Sequence, residues 1–198
     1  ISVIFAFAIA IGLFIVLPAF LVKGSNEDAT MFSSLKEGLI KISFFVAYIY
    51  IISLMNDIKR VFQYHGAEHK SIFAYEKGLE LTVDNVKKMP RLHPRCGTNF
   101  IFVVLMVSTF VFSFFTFENV LTRSILKLIF FPVVAGIAYE IIKIAGKYQN
   151  PFTRVLILPG LLMQKITTRE PDEKQIEVAI AALQATLDKT EVVSPSPT

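Results

Sequence analysis

Long apolar runs separated by short polar intervals dominate the chain. Four runs carry about the 17 to 25 apolar residues that a membrane-spanning helix needs, and they cover residues 1–22, 39–55, 99–117 and 125–145. The pattern predicts an all-α membrane protein with four transmembrane helices plus cytoplasmic amphipathic helices, built as a single membrane domain over residues 1–198. Because the sequence starts inside an apolar run, we expect further residues upstream.

The polar interval 56–97 is the principal extramembrane region. A helix is predicted over residues 58–77, with Gly78 just past its end in the position where glycine most often terminates a helix. Thr82 is expected to cap a short second helix that Pro90 stops. This interval is therefore the natural place for a functional site.

The C-terminal third adds shorter elements. Residues 152–163, broken by Pro159 and Gly160, are too few to span a bilayer and are expected to be interfacial or re-entrant. Residues 171–189 are expected to form an amphipathic helix, and residues 190–198 a disordered tail. The apolar stripe of that helix comprises Ile176, Ile180, Leu183 and Leu187.

Composition and charge support the membrane assignment. The chain is 54% hydrophobic, with a mean hydropathy of +0.58. We therefore expect the lipid bilayer to be its partner. The net charge is +4, yet no basic run is interleaved with aromatic residues, so we expect no nucleic-acid partner. Fifteen of the 20 Lys and Arg residues lie in residues 56–97 or from residue 143 onward. The positive-inside rule then predicts a multi-pass cell-membrane protein with both of these regions in the cytoplasm.

The candidate chemistry centres on the motif His65-Gly66-Ala67-Glu68-His69. In a helix His65 and His69 are one turn apart and project from one face. Two imidazoles at this spacing can bind Zn²⁺ or another divalent transition metal, and Glu68 can act as general base on water. The H-x-x-E-H pattern is that of inverzincin metallopeptidases. The alternative is a polar surface helix whose histidines contact nothing.

A second pair of metal-ligating residue types follows in the same interval. His93 and Cys96 are three positions apart, so all three histidines and the single cysteine fall within 32 residues. We predict both as metal ligands, against the alternatives of a loop histidine bonded to backbone and a small buried cysteine. Glu140, a carboxylate in an apolar run, is predicted to be buried and to complete the site; the alternative is a structural partner for Lys143 or Arg95.

The predicted helix over residues 58–77 also contains Glu76 and Gly66. Glu76 lies on the same face as His65 but roughly 16 Å along the helix at 1.5 Å per residue, so it is not expected to share an ion with that histidine. Gly66 costs about 1 kcal/mol relative to Ala inside a helix. We interpret it as a position where another part of the chain approaches closely.

The stretches around Arg60 to Lys70, Arg91 to Gly97 and Ala138 to Glu140 together resemble the YqhQ family, bacterial and plant membrane proteins of unassigned function that are described as predicted metal-dependent enzymes. The resemblance covers roughly residues 38 to 190. It implies the same positions as the site, namely His65, Glu68, His69, His93, Cys96 and Glu140. Members of that family usually carry an N-terminal Gly-rich segment, which we expect to lie upstream of this sequence.

Three functions remain open from the sequence. The first is a metal-dependent hydrolase with Glu68 as the catalytic base. The second is a membrane scaffold or regulator with a structural zinc site of three histidines and Cys96. The third is a transporter-like protein that uses Glu140 as an ion or proton relay. Protein partners, oligomeric state and substrate are not determined by any of these motifs.

Overall fold

The structure is a computed structural model that describes residues 2–13, 17–23, 30–115, 120–148 and 150–193. Every regular element in these ranges is a helix, which confirms the all-α prediction. In chain order the helices are α1 (Ser2–Ile11), α2 (Leu17–Lys23), α3 (Met31–Ile52), α4 (Asn56–Glu76), α5 (Val83–Lys87), α6 (Gly97–Ser113), α7 (Val120–Lys147), α8 (Pro151–Thr167) and α9 (Glu173–Val193).

The chain divides into two compact units. Unit 1 comprises Ile1–Tyr50 and Pro94–Met163, and unit 2 comprises Ile51–His93 and Gln164–Thr198. Unit 1 therefore holds most of the apolar helices, whereas unit 2 holds the helix that carries the histidine motif. The prediction of a single membrane domain stays a prediction.

Unit 1 is organised around the pairing of α6 with α7. Val103 on α6 packs against Ala138 and Ile142 on α7, and all three are buried. The small side chain at position 138 brings the two helices close, as small residues do between apolar helices. On α8 a Cβ at Gly160 would lie 1.6 Å from Oδ1 of the buried Asn99, so only glycine fits there.

Among the described residues, one helix is long and apolar enough to cross a membrane, Ile125–Lys147 within α7. Only 17% of its most apolar window is buried, whereas the core helix of a soluble protein is mostly buried. Large apolar side chains such as Leu128, Ile129 and Phe131 are exposed along it. Helices α3 and α4 together form a second candidate membrane span if they are counted as one helix with a bend of 102° between them. These helices indicate membrane association and do not confirm four spans.

Several predicted boundaries differ from the observed ones. The first apolar run contains α1 and α2, and residues 14–16 between them lie outside the described ranges. The second predicted span belongs to a helix that starts earlier, at Met31, because the polar residues before position 39 continue the helix. The third coincides with α6, which has 17 residues. The expected break at Pro159 is wrong, since α8 runs through it to Thr167.

Unit 2 packs α4 against α9, with α5 covering both. Its core is formed by Ala67 and Ala74 on α4, Val86 on α5, and Ile176 and Ile180 on α9. Two residues of the predicted apolar stripe are therefore confirmed as core. Alanines on the α4 side let the longer isoleucines of α9 fill the interface at normal packing density.

The ends of these helices follow the expected local signals. Thr82 caps α5 by accepting a hydrogen bond from the Asn85 backbone amide at 3.4 Å, and α4 ends at Glu76 before Gly78, whose φ is +66°. Asp172 and Gln175 form a reciprocal capping box at the start of α9. That helix continues to Val193, so the predicted disorder is wrong for residues 190–193, while residues 194–198 lie outside the described ranges.

Candidate metal centre

Helix α4 brings His65 and His69 together as their spacing predicts. Their ring centroids are 4.4 Å apart in an edge-on arrangement, and each ring offers a nitrogen within 4.8 Å of one offered by the other. His69 is buried and His65 is half-buried. Zinc binds imidazole nitrogen at about 2.0–2.1 Å, so the two rings can share one ion after a small side-chain shift.

Backbone carbonyls hold one nitrogen of each of these rings. Nδ1 of His65 lies 2.8 Å from the carbonyl oxygen of Thr167, and Nδ1 of His69 lies 2.6 Å from that of Arg91. A carbonyl oxygen only accepts, so each Nδ1 must carry the proton. The neutral rings are then left with an unprotonated Nε2, which is the state that a metal-binding histidine needs.

His93 is held as firmly, although it stands further from the pair. Its backbone exchanges two hydrogen bonds of 2.8 Å with the side chain of Gln164. Its ring centroid lies 5.7 Å from that of His69 and 4.6 Å from that of Phe73. Nε2 of His93 is 3.4 Å from Oε2 of Glu76, and ligation by His93 stays a prediction.

Glu76 was not expected from the sequence to share an ion with His65, yet it contacts another histidine of this centre. Glu76 lies far from His65 along α4, as expected. Its carboxylate instead contacts the ring of His93, which lies 17 residues later in the sequence. A carboxylate beside an imidazole fixes the ring and raises its basicity. The signal that pointed to it was its position on the histidine face of α4.

The close approach expected at Gly66 is confirmed. A Cβ at this position would lie 2.1 Å from the carbonyl oxygen of Arg169. The same segment donates a hydrogen bond from the Arg169 amide to the Phe62 carbonyl oxygen, at 2.8 Å. Glycine therefore lets the segment that carries Thr167 lie directly on α4, where it reaches His65.

Lys70, the residue that follows the motif, fixes the other side of α4. Its side chain is buried, donates a hydrogen bond of 3.0 Å to the Lys87 carbonyl oxygen and forms an ion pair with Glu170. A buried ammonium needs such partners, because transfer out of water is costly for an unpaired charge. Lys70 thus ties both α5 and the segment before α9 to the histidine helix.

Glu68 directly precedes His69 on α4. It is exposed and, with Tyr64 and the buried Ser71, lines a groove of about 450 Å³ between α4 and α9. Ser71 Oγ has no hydrogen-bond partner among the described residues. The groove is otherwise mostly apolar, with Ala182 and Leu183 on its α9 side. The role of Glu68 as a base stays a prediction.

The two other predicted ligands belong to unit 1. Cys96 is buried and caps α6, where its sulfur accepts a hydrogen bond of 3.4 Å from the Thr98 amide. Glu140 is not buried as predicted, because its side chain is 55% exposed and paired with Lys143 at 3.2 Å. Ligation by Cys96 and Glu140 stays a prediction, and the transport hypothesis gains no support from an exposed carboxylate.

The family of the chain is established by comparison with known proteins. A family profile described as "Protein of unknown function (DUF1385)" matches residues 1–189. The chain belongs to this family. The uncharacterized protein YqhQ of Bacillus subtilis (strain 168) is 42% identical over 152 residues, which make up 76% of this chain and 48% of that protein. The chain thus spans about half the length of the curated relative it matches, and no solved structure matches it.

Proposed function

We propose that this protein binds a transition metal ion, Zn²⁺ by the chemistry of its donors, through His65 and His69. The observation that carries the proposal is the pair of backbone carbonyls that hold Nδ1 of both rings. Ordinary surface histidines one turn apart do not need such partners. Here the tautomer is set in advance, and a nitrogen of one ring lies within 4.8 Å of a nitrogen of the other.

Cys96 is the proposed third ligand and His93 the fourth. Imidazole and thiolate are the donors that zinc prefers, and two residues separate His93 from Cys96 along the chain. The sulfur lies at the N-terminus of α6, where the partial positive charge of the helix end stabilises an anion. The Glu76 carboxylate, 3.4 Å from Nε2 of His93, orients that ring.

The reaction we propose is metal-dependent hydrolysis. A bound zinc ion supplies the Lewis acidity that makes water a nucleophile near neutral pH. Glu68 is the proposed base: it is exposed, free of a competing hydrogen bond among the described residues, and lies one residue from His69. The apolar groove that Glu68 lines is the proposed place for the substrate, because ligand sites are mostly apolar with a few polar groups.

Metal content of the purified protein tests the site. We expect about one equivalent of zinc per chain, and its loss in His65→Ala and in His69→Ala. Glu76→Gln removes the carboxylate beside His93 and should lower the zinc affinity roughly 10–100-fold. Glu177→Gln, an exposed carboxylate on α9, is the matched control and should bind normally. Zinc content that survives in both histidine variants would remove the proposal.

Glu68→Gln then separates catalysis from structure. The amide keeps the size of the side chain but cannot accept a proton. With zinc at saturation, we expect full metal occupancy, normal folding and loss of complementation in a strain that lacks the protein. Complementation that persists at full occupancy would exclude Glu68 as the base.

A structural zinc site is the second candidate, and the burial of the donors favours it. His69, His93 and Cys96 are all buried, whereas a catalytic zinc keeps one position open to water. The coordination number decides between the two. X-ray absorption on the zinc-loaded protein should show three protein ligands and one water for a hydrolase, and four protein ligands for a closed site.

We also propose the full membrane topology: four spans with residues 56–97 and the C-terminus in the cytoplasm. The exposed apolar surface of α7 and the Lys/Arg asymmetry support it. In a Cys96→Ser background, single cysteines at positions 26 and 88 are labelled from outside intact cells. We expect labelling at position 26 only, and labelling at position 88 instead would reverse the topology.

A further inference from the structure

Unit 1 contains a charged cavity that none of the sequence motifs singled out. It measures about 200 Å³ and is bordered by α3, α6 and α7. Its polar lining consists of Ser34, Glu37, Lys41, Ser108, Thr109 and Lys127. Ionisable residues between apolar helices are costly to bury and mark functional sites by default.

Glu37 is the centre of this cluster. Its side chain is only 6% exposed, and it forms an ion pair with Lys41, one turn further along α3, and a second one with Lys127 of α7 at 3.4 Å. The two lysine side chains line the cavity and are 22% and 30% exposed, so neither is fully buried. Among the described lining residues, two positive charges face one negative charge.

Two of the lining hydroxyls, those of Ser108 and Thr109, do not donate into the cavity. Ser108 and Thr109 both give their hydroxyl hydrogens to the Leu105 carbonyl oxygen, at 2.9 and 2.8 Å. The ammonium groups are therefore the donors that a bound group would meet. Lysine acts as a point charge, and phosphate is a common partner for it.

The wall of the cavity depends on one close helix contact. A Cβ at Gly38 would lie 2.0 Å from Cγ2 of Thr109, so glycine lets α3 and α6 approach at the residue next to Glu37. Small residues of this kind set the distance between apolar helices. The carboxylate is thereby held against the lysines instead of turning toward solvent.

We propose that Lys41 and Lys127 form an anion site that binds one phosphate group, either free phosphate or the phosphodiester of an anionic lipid. Glu37 keeps the two ammonium groups together and competes with the bound anion for them. All three charges lie within three turns of the ends of their helices, where long lysine side chains reach the membrane surface.

Binding is measured on the purified chain in detergent with inorganic phosphate, short-chain phosphatidylglycerol and short-chain phosphatidylcholine as probes. We expect saturable binding of phosphate or of phosphatidylglycerol, lowered at least tenfold by Lys41→Gln and by Lys127→Gln. Lys36→Gln is the matched control, because Lys36 lies on the same helix with its ammonium over the Phe32 ring at 4.7 Å. Binding of phosphatidylglycerol without free phosphate identifies the lipid as the source, and the reverse identifies the free ion.

Glu37→Gln should change the anion affinity in the opposite direction from the lysine variants. Removing the competing carboxylate frees both ammonium groups, so we expect anion binding to tighten severalfold. A cluster that serves only as a structural ion pair would instead give no binding in the wild-type protein or weaker binding in this variant, and either result overturns the proposal. If a variant does not fold, amine labelling of the wild-type protein decides: phosphate or phosphatidylglycerol must protect Lys41 and Lys127 and leave Lys36 reactive, and protection by neither overturns the proposal.

Discussion

Gly66→Ala is the sharpest test of how the histidine helix is held. The added methyl group would meet the backbone carbonyl oxygen of Arg169 at 2.1 Å. An ordinary contact begins near 3.4 Å, so the segment around Arg169 must retreat by about 1.3 Å. Because the neighbour is backbone and not a flexible side chain, no rotamer change relieves the clash.

The size of the effect follows from three contributions. Overpacking of this kind costs about 1–3 kcal/mol. Loss of the hydrogen bond from the Arg169 amide to the Phe62 carbonyl oxygen adds about 1 kcal/mol. Alanine returns about 1 kcal/mol through its higher helix propensity. We therefore expect a net destabilisation of about 2 kcal/mol, or roughly 4–8 °C in Tm for a chain of this length.

The same displacement should also weaken metal binding. Thr167, whose carbonyl oxygen holds Nδ1 of His65, belongs to the segment that is pushed away. Loss of such a supporting contact typically costs roughly 10–100-fold in metal affinity.

Thermal unfolding followed by circular dichroism, together with zinc titration, measures both effects of Gly66→Ala. Gly136→Ala is the control, because a Cβ there meets nothing within 4 Å and the residue is also inside a helix. It should be neutral or slightly stabilising. A Gly66→Ala protein as stable as the wild type, with unchanged zinc affinity, would refute the packing described around His65.

Two further predictions concern α9. Asp172→Ala removes the acceptor for the Gln175 amide at 2.8 Å and should cost about 1 kcal/mol in chemical unfolding; an unchanged midpoint would contradict the capping box. At the start of α9, the hydrogen bond from Lys87 and then the Lys87 charge lower the pKa of Glu173. The same hydrogen bond and then the Glu173 charge raise the pKa of Lys87. The stabilisation from Glu173 is present above its unfolded-state pKa and is lost as pH falls through the lower folded-state value, so Glu173→Gln should flatten that part of the stability curve. The pair is fully exposed, so added salt should reduce the same difference.

Local features of the sequence determined the helices of unit 2 and the histidine pair. The 3.6-residue period places His65 and His69 on one face of α4, whatever packs around them. Glycine after Lys77 and threonine at position 82 act on their immediate neighbours, so these caps are readable without the fold. Apolar runs likewise indicated the helices of unit 1, although they do not set the number of spans.

Tertiary structure decided what surrounds these helices. The acceptors of His65 and His69 are backbone carbonyls 102 and 22 residues away in sequence, and a carbonyl has no residue type that a pattern can detect. The burial of Glu37 and the exposure of Glu140 depend on which helix faces pack together. The sequence suggests the reverse, since Glu37 follows polar residues and Glu140 stands in an apolar run. Gly66 is the position where the sequence indicated a tertiary contact. A glycine inside a helix suggested that another part of the chain approaches closely, and the folded chain identified Arg169 as the residue that makes this contact.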